Sequence, residues 1–283
     1  MLKITKISFP GLGIGEFVVN SEAFTIFGLP IAWYAIIITC GMIFAVLYTM
    51  YRAKQIGISS DEIIDFAIFV IPFGVIGARL YYVIMEIERY SNILEVFNLR
   101  NGGLAIYGGI IAGAITVFVI CKIKKIYFPA FADCVVPGLI MAQAIGRWGN
   151  FMNGEAYGYE TDIFCRMGLD FGYGVRYFHP TFLYESLWNI IGFILVNIVY
   201  KHKKYDGQIF LIIFGWYGLG RMFIEGLRTD SLVFSLFGVE WRISQLIAGA
   251  LFLACASALI YLAIKKYSAP LYVRQAKKSN NEE

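Results

Sequence analysis

Only two histidines occur in this chain, His179 and His202, and its five cysteines form no CxxC. A metal centre built on His and Cys spacing is therefore not expected. Cys40, Cys121, Cys134 and Cys255 lie inside apolar runs and Cys165 alone in a polar segment, so no disulfide framework is visible. Charge is scarce too. Asp, Glu, Lys and Arg make up 16% of the residues, and the net charge of +4 comes from basic residues scattered between apolar stretches. That pattern excludes a nucleic-acid footprint, which needs a basic face or stripe. A cleavable signal peptide is not expected either, because Lys3 and Lys6 are followed by Pro10, Gly11, Gly13 and Gly15 instead of a continuous apolar core.

What the chain does have is apolar bulk: 59% of its residues are hydrophobic and 17% aromatic. That places it outside the range of soluble globular domains and among polytopic membrane proteins, whose Trp and Tyr collect at the headgroups. Residues 1 to about 23, broken by Gly and Pro, read as an arm lying at the interface. Runs at about 24–51, 63–85, 102–120 and 129–148 then reach the roughly 20 residues that a helix needs to cross a bilayer. The second begins on the start signal Ser59-Ser60-Asp61-Glu62, and a polar loop over 86–101 follows it. Residues 150–178, rich in Gly, Tyr and charge, are too polar to span and read as a small head. A fifth span starts at His179-Pro180 and closes on Lys201, a sixth extends from Gly207 to about Leu227, and a seventh covers about 241–264. The expectation is an all-α polytopic membrane protein, one transmembrane domain over 1–283 with about seven helices and a head inserted at 150–178.

Basic residues orient these spans. Arg52, Lys54, Lys122, Lys124, Lys125, Lys201, Lys203, Lys204, Lys265, Lys266, Arg274, Lys277 and Lys278 fall at one set of ends. Lys3, Lys6, Arg89, Arg100, Arg166, Arg176, Arg228 and Arg242 fall at the other. The richer side is expected inside, which puts the N-terminus and the head outside and the C-terminus inside.

With that orientation Arg79, Tyr107, Arg147, Glu155, His179, Arg221, Glu225 and Arg228 all lie toward the outer ends of their helices. The inner ends hold mainly Asp65 and Asp133 within apolar segments. Arg147 opens the run GRWGNFMNGEAYG, followed within two turns by Asn150, Asn153 and Glu155. An arginine at membrane depth calls for an anion, and its planar guanidinium suits a phosphate. Tyr217, Arg221, Glu225 and Arg228 recur every three or four residues and form one polar stripe. Arg221 with Glu225 also reads as an intrahelical ion pair that locks a bundle. His179 either caps the fifth span or takes part in chemistry. Glu185, one turn into that helix, reads as an ordinary partner of its positive end. Tyr107 also fits the aromatic belt.

GRWGNFMNGEAYG resembles the signature of the prolipoprotein diacylglyceryl transferase family. Gly28-Leu29-Pro30 with Trp33-Tyr34, Gly77-Ala78-Arg79, Gly102-Gly103 to Gly108-Gly109, His179-Pro180-Thr181 with Tyr184-Glu185, and Arg221 to Arg228 are similar to that family in the same order. The resemblance implies a multi-pass enzyme of the bacterial cell membrane with seven helices and an outer head. Such an enzyme moves the diacylglyceryl group of phosphatidylglycerol to the lipobox cysteine thiol of a lipoprotein precursor, with no soluble cofactor and no metal. It also implies that Arg147, Asn150, Glu155 and Gly158 match the signature, with Tyr34, Tyr217, Arg221, Glu225 and Arg228 lining the same cavity. Arg147, Arg221, Tyr107 and Glu225 are the expected catalytic group. Arg147, Asn150, Glu155, Gly158, Tyr34, Arg79, Tyr217, Arg228 and His179 are expected to bind phosphatidylglycerol. The partners implied are that lipid, precursor signal peptides and membrane lipids.

One position departs from the family. Many members carry histidine where this chain has Tyr107, and a phenol with a reference pKa near 10 is a poor base at neutral pH. Either Tyr107 orients substrate, or a carboxylate or the departing phosphate takes the thiol proton. A transporter or flippase for anionic lipids or small anions is the rival class, but it calls for a polar path to the inner face or an inverted repeat, and neither is apparent. A structural assembly factor would need no convergent arginines.

Overall fold

The computed structural model describes residues 4–90, 92–98, 102–170, 172, 174–229, 233–236 and 239–274. Of the residues invoked above, Lys3, Arg100, Lys277 and Lys278 lie outside that set. In chain order the elements are β1 (Ile4–Phe9), β2 (Ile14–Asn20), β3 (Glu22–Ile26), β4 (Leu29–Ala32), α1 (Trp33–Ala53), α2 (Ser60–Met85), α3 (Ile106–Ile123) and α4 (Phe128–Asn153). Then come β5 (Met167–Asp170), β6 (Val175–Phe178), α5 (Thr181–Tyr200), α6 (Gln208–Glu225), β7 (Val233–Leu236), β8 (Val239–Arg242) and α7 (Ile243–Ile264). The protein is mostly helical, and six of its helices, all but α6, are long and apolar enough to cross a membrane.

Three sequence expectations need correction. The chain is not all-α, because eight short strands are present among the described residues. The first helix starts at Trp33, not near residue 24, since residues 22–32 form the β3–β4 hairpin. Its two turn residues, Phe27 and Gly28, both have positive φ, 47° and 77°, and Pro30 has no N–H to donate to a helix. Within the segment read as an interfacial arm, Ile4–Phe9 and Ile14–Asn20 are likewise strands, joined by a short turn at Pro10–Leu12. Ile7, Phe9 and Val19 turn inward at strand spacing and are buried with Met167, Leu169, Phe178 and Phe182. The resulting sheet has the order β2-β1-β5-β6 and is antiparallel throughout, so the N-terminal segment and the stretch before α5 share one sheet.

Contacts divide the chain into two compact units. One is drawn from residues 1–48 and 135–271, the other from 49–134 with the residues after 271. In the first unit, Phe151 and Met152 of α4 and Phe182 of α5 pack against the sheet, which seats it on the ends of these two helices. Helices α5 and α6 meet at a stacked pair, Trp188 and Trp216, with ring centres 4.2 Å apart. Each indole N–H donates to the other's carbonyl at 2.9 Å. This close approach depends on Gly192 and Gly220, where a Cβ would fall 2.5 and 2.2 Å from the opposing indole.

In the second unit α2 opens on a capping box: Ser59 Oγ accepts from the Glu62 N–H at 3.2 Å, and the Glu62 carboxylate accepts from the Ser59 N–H at 3.1 Å. Gly77 and Gly108 let α2 and α3 touch backbone to backbone; a Cβ on Gly108 would lie 2.2 Å from the Gly77 carbonyl oxygen. Arg274 ties the base of the unit together. It pairs with Glu62 at 2.5 Å and donates to the carbonyl of Lys124 at 3.2 Å, while its own N–H reaches the carbonyl of Ile56 at 3.0 Å.

Candidate active site

Helix α4 runs five residues past Trp148 and carries Arg147 and Asn150 on one face, one turn apart. Arg147 Nη1 donates to Asn150 Oδ1 at 3.3 Å. The helix ends in a turn with positive φ at Gly154 (58°) and Ala156 (56°), which folds Glu155 back over the helix end. Glu155 then accepts from Asn150 Nδ2 at 3.1 Å and from Asn153 Nδ2 at 3.0 Å. The four polar residues of the signature thus form one relay, Arg147 to Asn150 to Glu155, with Asn153 as a second anchor.

Gly158 lies where three segments cross. Its N–H donates to the His179 carbonyl at 2.9 Å, it bridges to Arg228, and a Cβ there would meet the Leu227 carbonyl oxygen at 2.6 Å and His179 Cβ at 2.7 Å. The stretch after α4, the entrance to α5 and the exit of α6 are therefore held at backbone distance.

Glu185, in the second turn of α5, is buried, and both of its oxygens are occupied by arginine. Arg147 Nη2 reaches Oε2 at 2.6 Å, while Arg221 Nη1 and Arg228 Nη1 share Oε1 at 2.8 and 3.2 Å. Arg221 uses its second nitrogen on Glu225 Oε2 at 2.5 Å. Three guanidinium groups from α4, α6 and the turn after α6 thus converge on two carboxylates, with Glu155 joined to Arg147 through Asn150. Burial decreases outward: the side chains of Arg228, Arg221 and Arg147 are 10, 16 and 22% exposed. Arg147 and Arg221 keep the most accessible edges. A narrow cleft of about 10 Å³ beside Arg221 is lined by Glu185, Asn189, Tyr217, Gly220 and Arg221. Tyr34, in the first turn of α1, lies against Gly149, where a Cβ would meet its ring at 2.7 Å.

Arg147, Arg221, Glu225 and Arg228 all lie in the first unit and are brought together around Glu185. The intrahelical Arg221–Glu225 pair forms, and Arg221 also reaches across to Glu185 on α5. Glu185 is what sequence reasoning missed. Its partners lie 36 to 43 residues away, so no helical spacing betrays it; only its place in the His179-to-Glu185 stretch was a signal. His179 stands just outside α5 with Nδ1 3.3 Å from the Tyr184 hydroxyl, which also lies 3.5 Å from Cys165 Sγ. Burial pulls the His179 pKa below its usual 6.5, so the ring is neutral at pH 7.

Arg79 and Tyr107 belong to the second unit. Tyr107 sits half-buried in the first turn of α3. Arg79 is buried near the end of α2 and donates all five of its N–H groups to main-chain carbonyls: Nε to Val96, Nη1 to Gly102 and Gly103, Nη2 to Glu95 and Asn98, at 2.7 to 3.1 Å. It borders a cavity of about 480 Å³ shared with Tyr82, Tyr90, Glu95, Asn98, Gly102 and Gly103.

A family model described as prolipoprotein diacylglyceryl transferase matches residues 21–261. Among curated relatives, the phosphatidylglycerol–prolipoprotein diacylglyceryl transferase of Clostridioides difficile is 48% identical over 75% of this chain and 84% of its own. That of Finegoldia magna is 46% identical over 82% and 91%, and that of Listeria welshimeri 40% identical over 93% and 96%.

Proposed function

The chain belongs to the prolipoprotein diacylglyceryl transferase family, and from that premise we propose how its arginine cluster carries out the transfer. The protein is a transferase that moves the diacylglyceryl group of phosphatidylglycerol to the cysteine thiol of a lipoprotein precursor. The observation that carries the mechanism is the convergence of Arg147, Arg221 and Arg228 on Glu185 and Glu225. A phosphodiester headgroup offers guanidinium groups the same kind of oxygen acceptors.

The acceptor thiolate attacks the diacylglycerol carbon that bears the phosphate ester. The C–S bond forms, the C–O bond breaks, and the electron pair leaves with glycerol phosphate. Charge on the phosphate grows as that bond breaks, and guanidinium donors aimed at it stabilise the transition state more than the bound lipid. The same field lowers the acceptor thiol's pKa, ordinarily near 8.5. The thiol proton goes to solvent or to the departing phosphate monoester, whose second pKa lies near 6. No covalent enzyme intermediate is required.

Arg147 and Arg221 hold the phosphate in this assignment. Arg228 and Glu225 set the cluster's charge, and Asn150, Glu155, Tyr34 and Tyr217 border the headgroup. Gly158 and His179 shape the junction behind them. Tyr107 orients substrate from the start of α3. Arg79, with every donor engaged, shapes the outer α2–α3 connection. The membrane is the bacterial cell membrane; α6 is counted as a seventh span, with the N-terminus and head outside and the C-terminus inside. The test is direct: purified protein with phosphatidylglycerol and a lipobox peptide should raise the peptide mass by one diacylglyceryl group and release glycerol phosphate. A lipid or anion transporter would do neither.

A further inference from the structure

A carboxylate bound to three arginines at the heart of a phosphate site has a consequence for release of the product. Both Glu185 oxygens occupy guanidinium edges that a phosphate would use, and Glu185 itself lines the cleft beside Arg221. The substrate phosphodiester has one negative charge, but the glycerol phosphate left after transfer has up to two at neutral pH. The arginines attract the second more strongly than the first, so release needs a competing carboxylate.

We propose that Glu185 is the exchangeable counter-ion of this site. It holds Arg147, Arg221 and Arg228 together before the lipid binds, gives up guanidinium edges to the diester, and by competing for those edges weakens the hold on the dianionic glycerol phosphate, which the arginines alone would bind more tightly than the diester. Glu185 is thus a positioning residue whose charge sets how firmly the product is held. It is suited to exchange because Arg147, which alone binds Oε2, is also the most exposed of the three. Glu225 is less suited, since its arginine lies one turn away on the same helix.

This rests on the transferase reading above, and the test separates the two. Transfer rates are measured in mixed micelles of phosphatidylglycerol with added glycerol phosphate, for the parent protein, Glu185→Gln, and Glu185→Gln combined with Arg228→Gln. Glu185→Gln adds one positive charge to the site. Its kcat should fall while glycerol phosphate inhibits at an about tenfold lower concentration. The double variant restores the charge count, and its inhibition constant should return to within about threefold of the parent's. A fall in kcat with unchanged or weaker product inhibition would show that Glu185 is only a structural pin. If Glu185→Gln cannot be purified folded, Glu185→Asp keeps the charge; its inhibition constant should stay within about threefold of the parent's, and an about tenfold change would overturn the charge account. A parent protein that transfers nothing would defeat the underlying reading, while calorimetric binding of glycerol phosphate to the same variants would still decide the charge count.

Discussion

Arg147 and Arg79 pose the same problem in the sequence, each a lone guanidinium near the end of an apolar helix, yet the structure gives them different work. Arg147 faces carboxylate and amide oxygens, an arrangement that an incoming phosphate can replace. Lysine there keeps the charge but loses the planar fork. Arg147→Lys should therefore lower kcat by about 10²–10³, the usual effect of losing one donor to a developing oxyanion, with the KM for phosphatidylglycerol changed far less. Arg79 is committed to five carbonyls, and hydrogen bonds to a charged group contribute about 1.5–3 kcal/mol each. Arg79→Gln should loosen the connection between α2 and α3 and make it cleavable by added protease, while the residual enzyme keeps its KM. His179 gives a pH signature. Its folded pKa lies below 6.5, so as pH falls through 6.5 the unfolded chain takes up a proton that the folded one refuses, and stability drops until the folded pKa is passed. Melting of the purified protein across pH 7 to 5 should show this slope, and His179→Gln should flatten it.

Elements were legible in the sequence wherever local chemistry decides them. The Ser59–Glu62 box marks the start of α2 because both of its hydrogen bonds lie within four residues. The strands were not legible, since Ile7, Phe9 and Val19 find their partners at 167–182, and apolar residues beside a membrane span read equally well as more membrane. The site shows the same division. The Tyr217-to-Arg228 stripe and the Arg147–Glu155 run could be read because their members are helix neighbours, whereas the Glu185 hub exists only after α4, α5 and α6 pack. The α5–α6 contact also makes a prediction at this scale. A methyl group on Gly220 would enter the Trp188 indole, and overpacking of this kind costs about 1–3 kcal/mol. Because Gly220 precedes Arg221 and Trp188 follows Glu185 by three residues, Gly220→Ala should lower the melting temperature and lower transfer together. Gly215→Ala, whose Cβ would meet only Cys255 Cβ at 3.4 Å, should be mild in both.

For the whole molecule the decisive quantity is the side of the membrane on which the arginine cluster opens. The proposed reaction takes the precursor's cysteine at the outer surface, and so requires the Arg147 end of α4 and the Thr181 end of α5 to face outward. The lysines at the opposite end of α5, Lys201, Lys203 and Lys204, argue for this through the excess of basic residues on cytoplasmic ends. Lys203 is buried against Asp206 at 3.0 Å and over the Tyr200 ring, so exposed Lys201 is the better reporter at that end. Asp162, exposed in the loop before β5, reports on the other. With Cys165→Ser to silence the half-buried thiol nearby, Asp162→Cys should react with a membrane-impermeant maleimide in intact cells, and Lys201→Cys only after the cells are opened. Reversal of that pattern would place Arg147, Arg221 and Arg228 toward the cell interior, away from the acceptor. The outer-face reaction would then be untenable, because a phosphate site on the wrong side cannot meet the thiol however well its charges are balanced.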